Sequence, residues 1–245
     1  TYTPSFLIKA SFFRYFVKAL GAQFSAGKTC VDKEKYMAIK IFVHGSGHKA
    51  ASWAETISYM PCDGDIMCPD LPSILEGKEA RYENLYAAFA GYCNAFGEEI
   101  HLCGLSLGGM LALNYALDFP QKTKSLVLIG TPHKVPKAAF GFQNMVFRFL
   151  PESIFAAMAF DKKDTFALGR SMKNWDFSGR VRQVACPTLI LCGQKDGPNM
   201  KSAHFLAQNI PNAKLEILED TGHAVNEENP RALANLLQEF YGRSF

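Results

Sequence analysis

The sequence predicts an α/β protein in which a mostly parallel central sheet is flanked by helices. Three observations carry this reading. Short apolar runs alternate with helical segments along most of the chain, the pattern of strands joined by helical crossovers. One run, Glu99-Ile100-His101-Leu102-Cys103, meets a segment of strong helix formers, Gly109 to Leu117, across the turn Gly104-Leu105-Ser106-Leu107-Gly108. Loops after three other apolar runs carry His44-Gly45-Ser46-Gly47, Asp196 and His223.

Strands are expected near 36–43, 64–69, 99–103, 125–130, 187–192 and 214–218. Helices are expected near 50–59, 82–96, 107–118, 200–209 and 229–241. The chemistry sits in the turns between them. In Gly104 to Gly108 a serine lies on a strand-to-helix turn, the pattern of a nucleophile elbow, with glycines leaving room for a strained backbone. The helix N-terminus behind Ser106 favours developing negative charge. A weak nucleophile of this kind needs a base and a group to orient that base, in the chain order Ser, then Asp or Glu, then His. Pro187 to Cys192 is an apolar run ending in Gly193-Gln194-Lys195-Asp196, and Lys214 to Leu218 is followed by Glu219-Asp220-Thr221-Gly222-His223. His223 is therefore the expected general base and Asp196 its orienting carboxylate.

The apolar run Lys40-Ile41-Phe42-Val43 leads into His44-Gly45-Ser46-Gly47. That turn can aim a backbone N–H at a carbonyl oxygen from one side while the N–H of Leu107 approaches from the other, which would make an oxyanion hole. Ser46 is the favoured donor and Gly47 the alternative. His44 is expected to brace the turn by hydrogen bonding rather than to act as a second base. His48, His101, His133 and His204 have no partner spacing and are set aside.

With the His44-Gly45 turn and Trp53 after it, Asp70-Leu71-Pro72 after a strand, the Ser106 elbow and the Asp196/His223 pair, the chain resembles the α/β-hydrolase superfamily from about Tyr36 to Tyr241. The resemblance implies a serine hydrolase of carboxylesterase type that needs no cofactor and no metal. It leaves the substrate open, since one fold hosts many reactions. A carboxylic ester or thioester is the leading expectation. An acyl-carrier-linked methyl ester, or a C–C bond cleaved with the same triad, is the alternative.

The resemblance also divides the chain into a core, 36–132 and 183–245, interrupted by a helical cap at 133–182. The cap region is rich in Phe and Met, among them Phe140, Phe142, Met145, Phe147, Phe149, Phe155, Met158, Phe160, Phe166 and Met172. Such a lining suggests a largely apolar pocket, although most of these side chains would serve to pack the cap. The region carries nine basic residues against four acidic ones, a surplus larger than the +3 of the whole chain. The plain reading is a solvated face. The sharper one is contact with an anionic or carrier-linked substrate.

Residues 1–35 depart from the family pattern. Pro4 to Leu20 reads as a basic amphipathic helix, with Ser11, Arg14 and Lys18 on one face and Phe6, Phe13, Phe16, Val17 and Leu20 on the other. It is expected to pack on the domain, with contact to a membrane surface or a partner as the alternative. At 245 residues, 48% hydrophobic and 20% charged, the chain has the composition of an ordinary globular domain. Its charge is too weak to argue for nucleic acid, and no apolar run is long enough to span a membrane. Seven cysteines, an odd number with no CxxC or zinc-type spacing and several in or beside expected strands, point to a reducing, cytoplasmic setting.

Overall fold

A computed structural model describes residues 39–61, 64–135 and 151–242. The expected N-terminal helix, Cys30, Cys62 and the Phe140–Phe149 part of the cap lie outside the described residues. In chain order, β1 spans Ile39–Val43 and a short helical turn at Ala50–Trp53 leads into α1, Ala54–Ser58. Then come β2 (Ile66–Met67), α2 (Leu71–Ile74), α3 (Tyr82–Asn94), β3 (Ile100–Leu105), α4 (Leu107–Asp118) and β4 (Thr123–Ile129). The connection onward holds α5 (Glu152–Ala156) and α6 (Lys162–Met172). The chain closes with β5 (Thr188–Gly193), α7 (Gly197–Asn209), β6 (Ala213–Leu218), α8 (Val225–Glu228) and α9 (Pro230–Tyr241).

All six strands pair in parallel, in the order β2-β1-β3-β4-β5-β6. Strand order reverses at β1, so β1 and β3 lie side by side and their C-terminal turns share one crevice. Ligands bind there in open parallel sheets. Alternation along the strands divides the core into two layers. Ile41, Leu102, Leu128 and Ile190 face Leu85 of α3, Leu111 of α4 and Leu206 of α7. Phe42, Leu105, Val127 and Leu191 face Trp53 and the Leu233/Leu237 stripe of α9. Both faces are covered, as a parallel sheet requires.

The six strands fall where the sequence reading expects them, but β2 is only two residues long against an expected 64–69, β3 runs on to Leu105, and β4 begins two residues earlier than expected. The expected 50–59 helix divides into a tight turn and α1. The four-residue α2 was not anticipated: Asp70 caps it, its carboxylate accepting from Ser73 N (3.3 Å) and Ser73 Oγ (2.6 Å).

The β4–β5 connection docks back on the core at its two ends. Val135 N donates to Trp175 O (3.0 Å) and Phe177 N to His133 O (2.8 Å), bridging the entry and exit of this segment at Lys134 and Asp176. Ser171 Oγ accepts from Tyr82 N at the start of α3 (2.8 Å), and the Tyr82 and Trp175 rings meet at 4.2 Å. Phe155, Phe160, Leu168 and Met172 are buried, so these side chains serve packing. Two of the basic residues are engaged as well: Arg180 donates to Asp118 (2.7 Å) and Arg182 to Asn209.

Candidate active site

Ser106 stands between the end of β3 and the start of α4 with φ +53° and ψ −112°, a left-handed backbone that a non-glycine residue rarely adopts. Its N–H donates to Ile129 O at the end of β4 (2.8 Å), which anchors the strained turn to the neighbouring strand. The flanking glycines are there for lack of space. A β-carbon at Gly104 would collide with the backbone of Gly108, and one at Gly108 with the backbone of Val43 and His44. The elbow and the turn after β1 are thus packed backbone to backbone.

Asp196 and His223 are 27 residues apart in sequence and meet through their loops. Gln194 N donates to Leu218 O and Lys195 N to Thr221 O, both at 2.8 Å, which ties the loop after β5 to the loop after β6. Nδ1–H of His223 then donates to Asp196 Oδ2 at 2.7 Å. The carboxylate is nearly fully buried, while the imidazole is 39% exposed and keeps Nε2 open. Burial works to raise Asp196. The hydrogen bond and charge of His223, together with Asn199, outweigh it and hold the carboxyl below its ordinary value. Ser106 Oγ makes no hydrogen bond to His223 in this structure. Such a contact often tightens only with substrate present. Gly130 connects the parts: it follows the Ile129 that anchors Ser106, and a β-carbon there would lie 2.9 Å from His223 Nδ1 and 3.0 Å from Asp196 Oδ2.

The turn after β1 is closed by His48 N donating to Gly45 O (3.1 Å). A methyl at Gly45 would touch Ser106 Cβ (3.5 Å), which places the residue before Ser46 directly against the elbow. Leu107 is the first residue of α4, so its N–H is one of the donors that a helix start leaves without an intrahelical acceptor. His44 braces the turn as expected. Its Nδ1–H donates to Gly45 O (2.8 Å) and its Nε2 accepts from Leu71 N (3.1 Å). Both nitrogens are occupied and the ring is wholly buried, which pushes its pKa down.

Three residues at the site escaped the sequence reading. Asn199, in the first turn of α7, donates to both oxygens of Asp196 (2.9 and 3.0 Å). Glu228, at the end of α8, accepts from Gly222 N (2.6 Å) and Ala224 N (3.1 Å), gripping the chain on either side of His223. His48, set aside for want of a partner, sits beside the elbow: the same methyl at Gly45 that meets Ser106 Cβ would meet His48 Nδ1 at 3.2 Å. His101 and His133 are internal, bonded to Ser125 (2.6 Å) and Ser202 (2.9 Å).

A cleft of about 890 Å³ opens beyond the turn after β1, between Lys49, Asp70 and Ser73 of the core and Phe155, Met158 and Lys162 of the β4–β5 connection. Ser106 and His223 are not in its described wall. Three lysines and three carboxylates line it, so the wall is balanced in charge.

A family model described as "Alpha/beta hydrolase family" matches residues 41–236. The chain belongs to the alpha/beta hydrolase family. Among curated relatives it is similar to monoacylglycerol lipase abhd6-A of Xenopus laevis, 24% identical over 97% of this chain and 87% of the relative. It is also similar to 2-hydroxy-6-oxo-6-phenylhexa-2,4-dienoate hydrolase of Burkholderia cepacia, 25% identical over 82% and 86%. Among solved structures, the alpha/beta hydrolase MGS-M2 from a deep-sea metagenome library superposes with a TM-score of 0.75 at 16% identity, covering 88% of this chain and 93% of that one. This likeness is one of fold. Among the described residues no helix is long and apolar enough to cross a membrane.

Proposed function

We propose that this alpha/beta hydrolase is a serine hydrolase of carboxylic esters. Ser106 attacks the ester carbonyl, its proton passing to His223 Nε2. The N–H groups of Ser46 and Leu107 hold the oxyanion, and His223 returns the proton to the departing alcohol. Water activated by His223 then attacks the acyl-Ser106 bond, releases the acid and restores the serine. Asp196 holds the imidazole in the tautomer this needs and stabilises the imidazolium.

The observation that carries the reading is the 2.7 Å Asp196–His223 bond abutting Gly130, next to the strand end that anchors the left-handed Ser106. A C–C bond hydrolase on the same residues is the second reading, favoured by the similarity to the dienoate hydrolase. Thioesters follow the ester route unchanged. For a carrier-linked ester, the surplus of basic residues at 133–182 is the feature in favour, and the engagement of Arg180 and Arg182 with core residues counts against it. The free, buried state of the five described cysteines supports a reducing, cytoplasmic setting.

The test is a panel of p-nitrophenyl esters of graded acyl length alongside a vinylogous C–C substrate. Turnover of esters with a burst of one p-nitrophenol per Ser106 supports the proposal. Turnover of the C–C substrate alone overturns it.

A further inference from the structure

His48 and Glu227 face each other across a gap that neither closes. His48 Nε2 and Glu227 Oε2 are 3.9 Å apart, beyond hydrogen-bond reach. An oxygen atom set to one side of the line joining them can lie about 2.8 Å from each. The two sides of the gap are held in place by other bonds. Asn226 donates to Ser52 O and Ser52 Oγ (both 3.0 Å), and Thr56 Oγ donates to Asn226 O (3.1 Å). These bonds fasten α8, which follows His223, to the helical segment that follows His48.

The chemistry of the gap is defined on both sides. His48 Nδ1 is buried with no hydrogen-bond partner, which suits the bare nitrogen of a neutral ring and leaves the proton on Nε2, facing Glu227. Glu227 is half exposed and offers only acceptor lone pairs. A group that accepts from one side and donates to the other answers this pair, and a hydroxyl does both.

The gap also adjoins the reacting groups. A methyl on Gly45 would reach both His48 Nδ1 (3.2 Å) and Ser106 Cβ (3.5 Å), and Glu227 is four residues beyond His223, in α8. His223 is the group that would hand its proton to the departing alcohol, so the alcohol part of an ester passes on this side.

We propose that His48 and Glu227 form a subsite for a hydroxyl on the alcohol portion of the ester. The subsite rests on the ester-hydrolase reading above. It makes the enzyme selective for esters of polyols or short diols over esters of simple alkanols. A bridging hydroxyl makes two hydrogen bonds that an alkyl group of the same size cannot, and the alkyl group leaves both polar partners unanswered.

The experiment compares kcat/KM for two esters of equal size and common acyl group, 2-hydroxyethyl butanoate and propyl butanoate. The wild type is expected to prefer the hydroxylated ester by about tenfold, the scale of one net hydrogen bond. In His48→Phe, which keeps the ring and removes both nitrogens, that ratio falls to within about twofold of unity. Glu227→Ala, at an exposed position tolerant of change, gives the same collapse and guards against a folding defect in the first variant. Equal kcat/KM for the two esters in the wild type, as when water alone occupies the gap, overturns the subsite and leaves the ester reading intact. So does a preference that survives both substitutions. Cleavage of neither ester by the wild type overturns the ester reading itself.

Discussion

Gly130 lies so close to His223 that a β-carbon on it would sit 2.9 Å from the imidazole Nδ1, and its φ of +51° is one that glycine alone adopts without strain. The strand that anchors the elbow thereby ends in the one residue type that admits the imidazole and carboxylate behind it. Gly130→Ala should displace His223 from Asp196 and lower kcat/KM for p-nitrophenyl butanoate on the order of 10²-fold, the cost of misplacing a reacting group by about 1 Å. Wild-type activity in this variant would show that the pair has room to spare.

On the proposed mechanism, Asn199 is a positioning residue that acts through Asp196. It gives the carboxylate two of its hydrogen bonds and contributes to holding its pKa down. Asn199→Ala should reduce kcat roughly tenfold while Tm changes little, since one half-buried side chain is lost. Asn199→Asp should reduce it further by placing a second negative charge against the first. Equal kcat in wild type and both variants, measured under saturating ester, would remove Asn199 from the mechanism.

Glu228 grips the backbone on both sides of His223, and Gly222 is the residue that lets it approach, because a β-carbon there would crowd the carboxylate at 2.8 Å. Glu228→Ala leaves two backbone N–H groups without their acceptor and frees the loop. The expected result is a fall in kcat with KM nearly unchanged, since the base is mispositioned and the substrate pocket is not. A rise in KM alone would place Glu228 in substrate binding.

What the sequence made legible, and what it did not, divides along a physical line. Ser106, Asp196 and His223 were readable because strained turns and strand ends impose local patterns: glycines around the serine, an apolar run before each loop. The six strands were readable for the same reason, since a parallel sheet buried on both faces leaves continuous apolar runs such as Thr188–Gly193. Asn199, Glu228 and His48 were not, because their partners are fixed by tertiary contact. Asn199 looks like an ordinary residue in a first helical turn, and Glu228 like a surface acid in Asn226-Glu227-Glu228. The packing of α8 against the segment 50–58 brings Glu227 to His48. The short helix α2 was hidden too, although Asp70 with Ser73 three residues on is a capping pattern, Asp70 having been read only as part of a family motif.

Burial pushes His44, His48 and His133 below the ordinary histidine value, because each ring resists protonation inside the fold. The unfolded chain takes up these protons at about pH 6.5 and the folded chain does so only at lower pH. Stability is therefore full above that value and declines as pH falls below it. Asp196, depressed in the folded state, adds a second loss at lower pH, as its carboxylate is protonated through its folded value. Thermal unfolding followed from pH 7.5 to 5.5 should show a falling Tm, and a flat or rising one would contradict the assignment of these rings as neutral.

The central claim is that Ser106 is the nucleophile, and one measurement bears on it most directly. The protein is incubated with a fluorophosphonate, its intact mass is recorded, and the adduct is mapped by peptide sequencing. The account predicts a single adduct on the peptide carrying Ser106, slowed in Asp196→Asn and absent in Ser106→Ala, with ester turnover in the alanine variant down by about 10³-fold or more. Undiminished labelling or turnover in Ser106→Ala would contradict it.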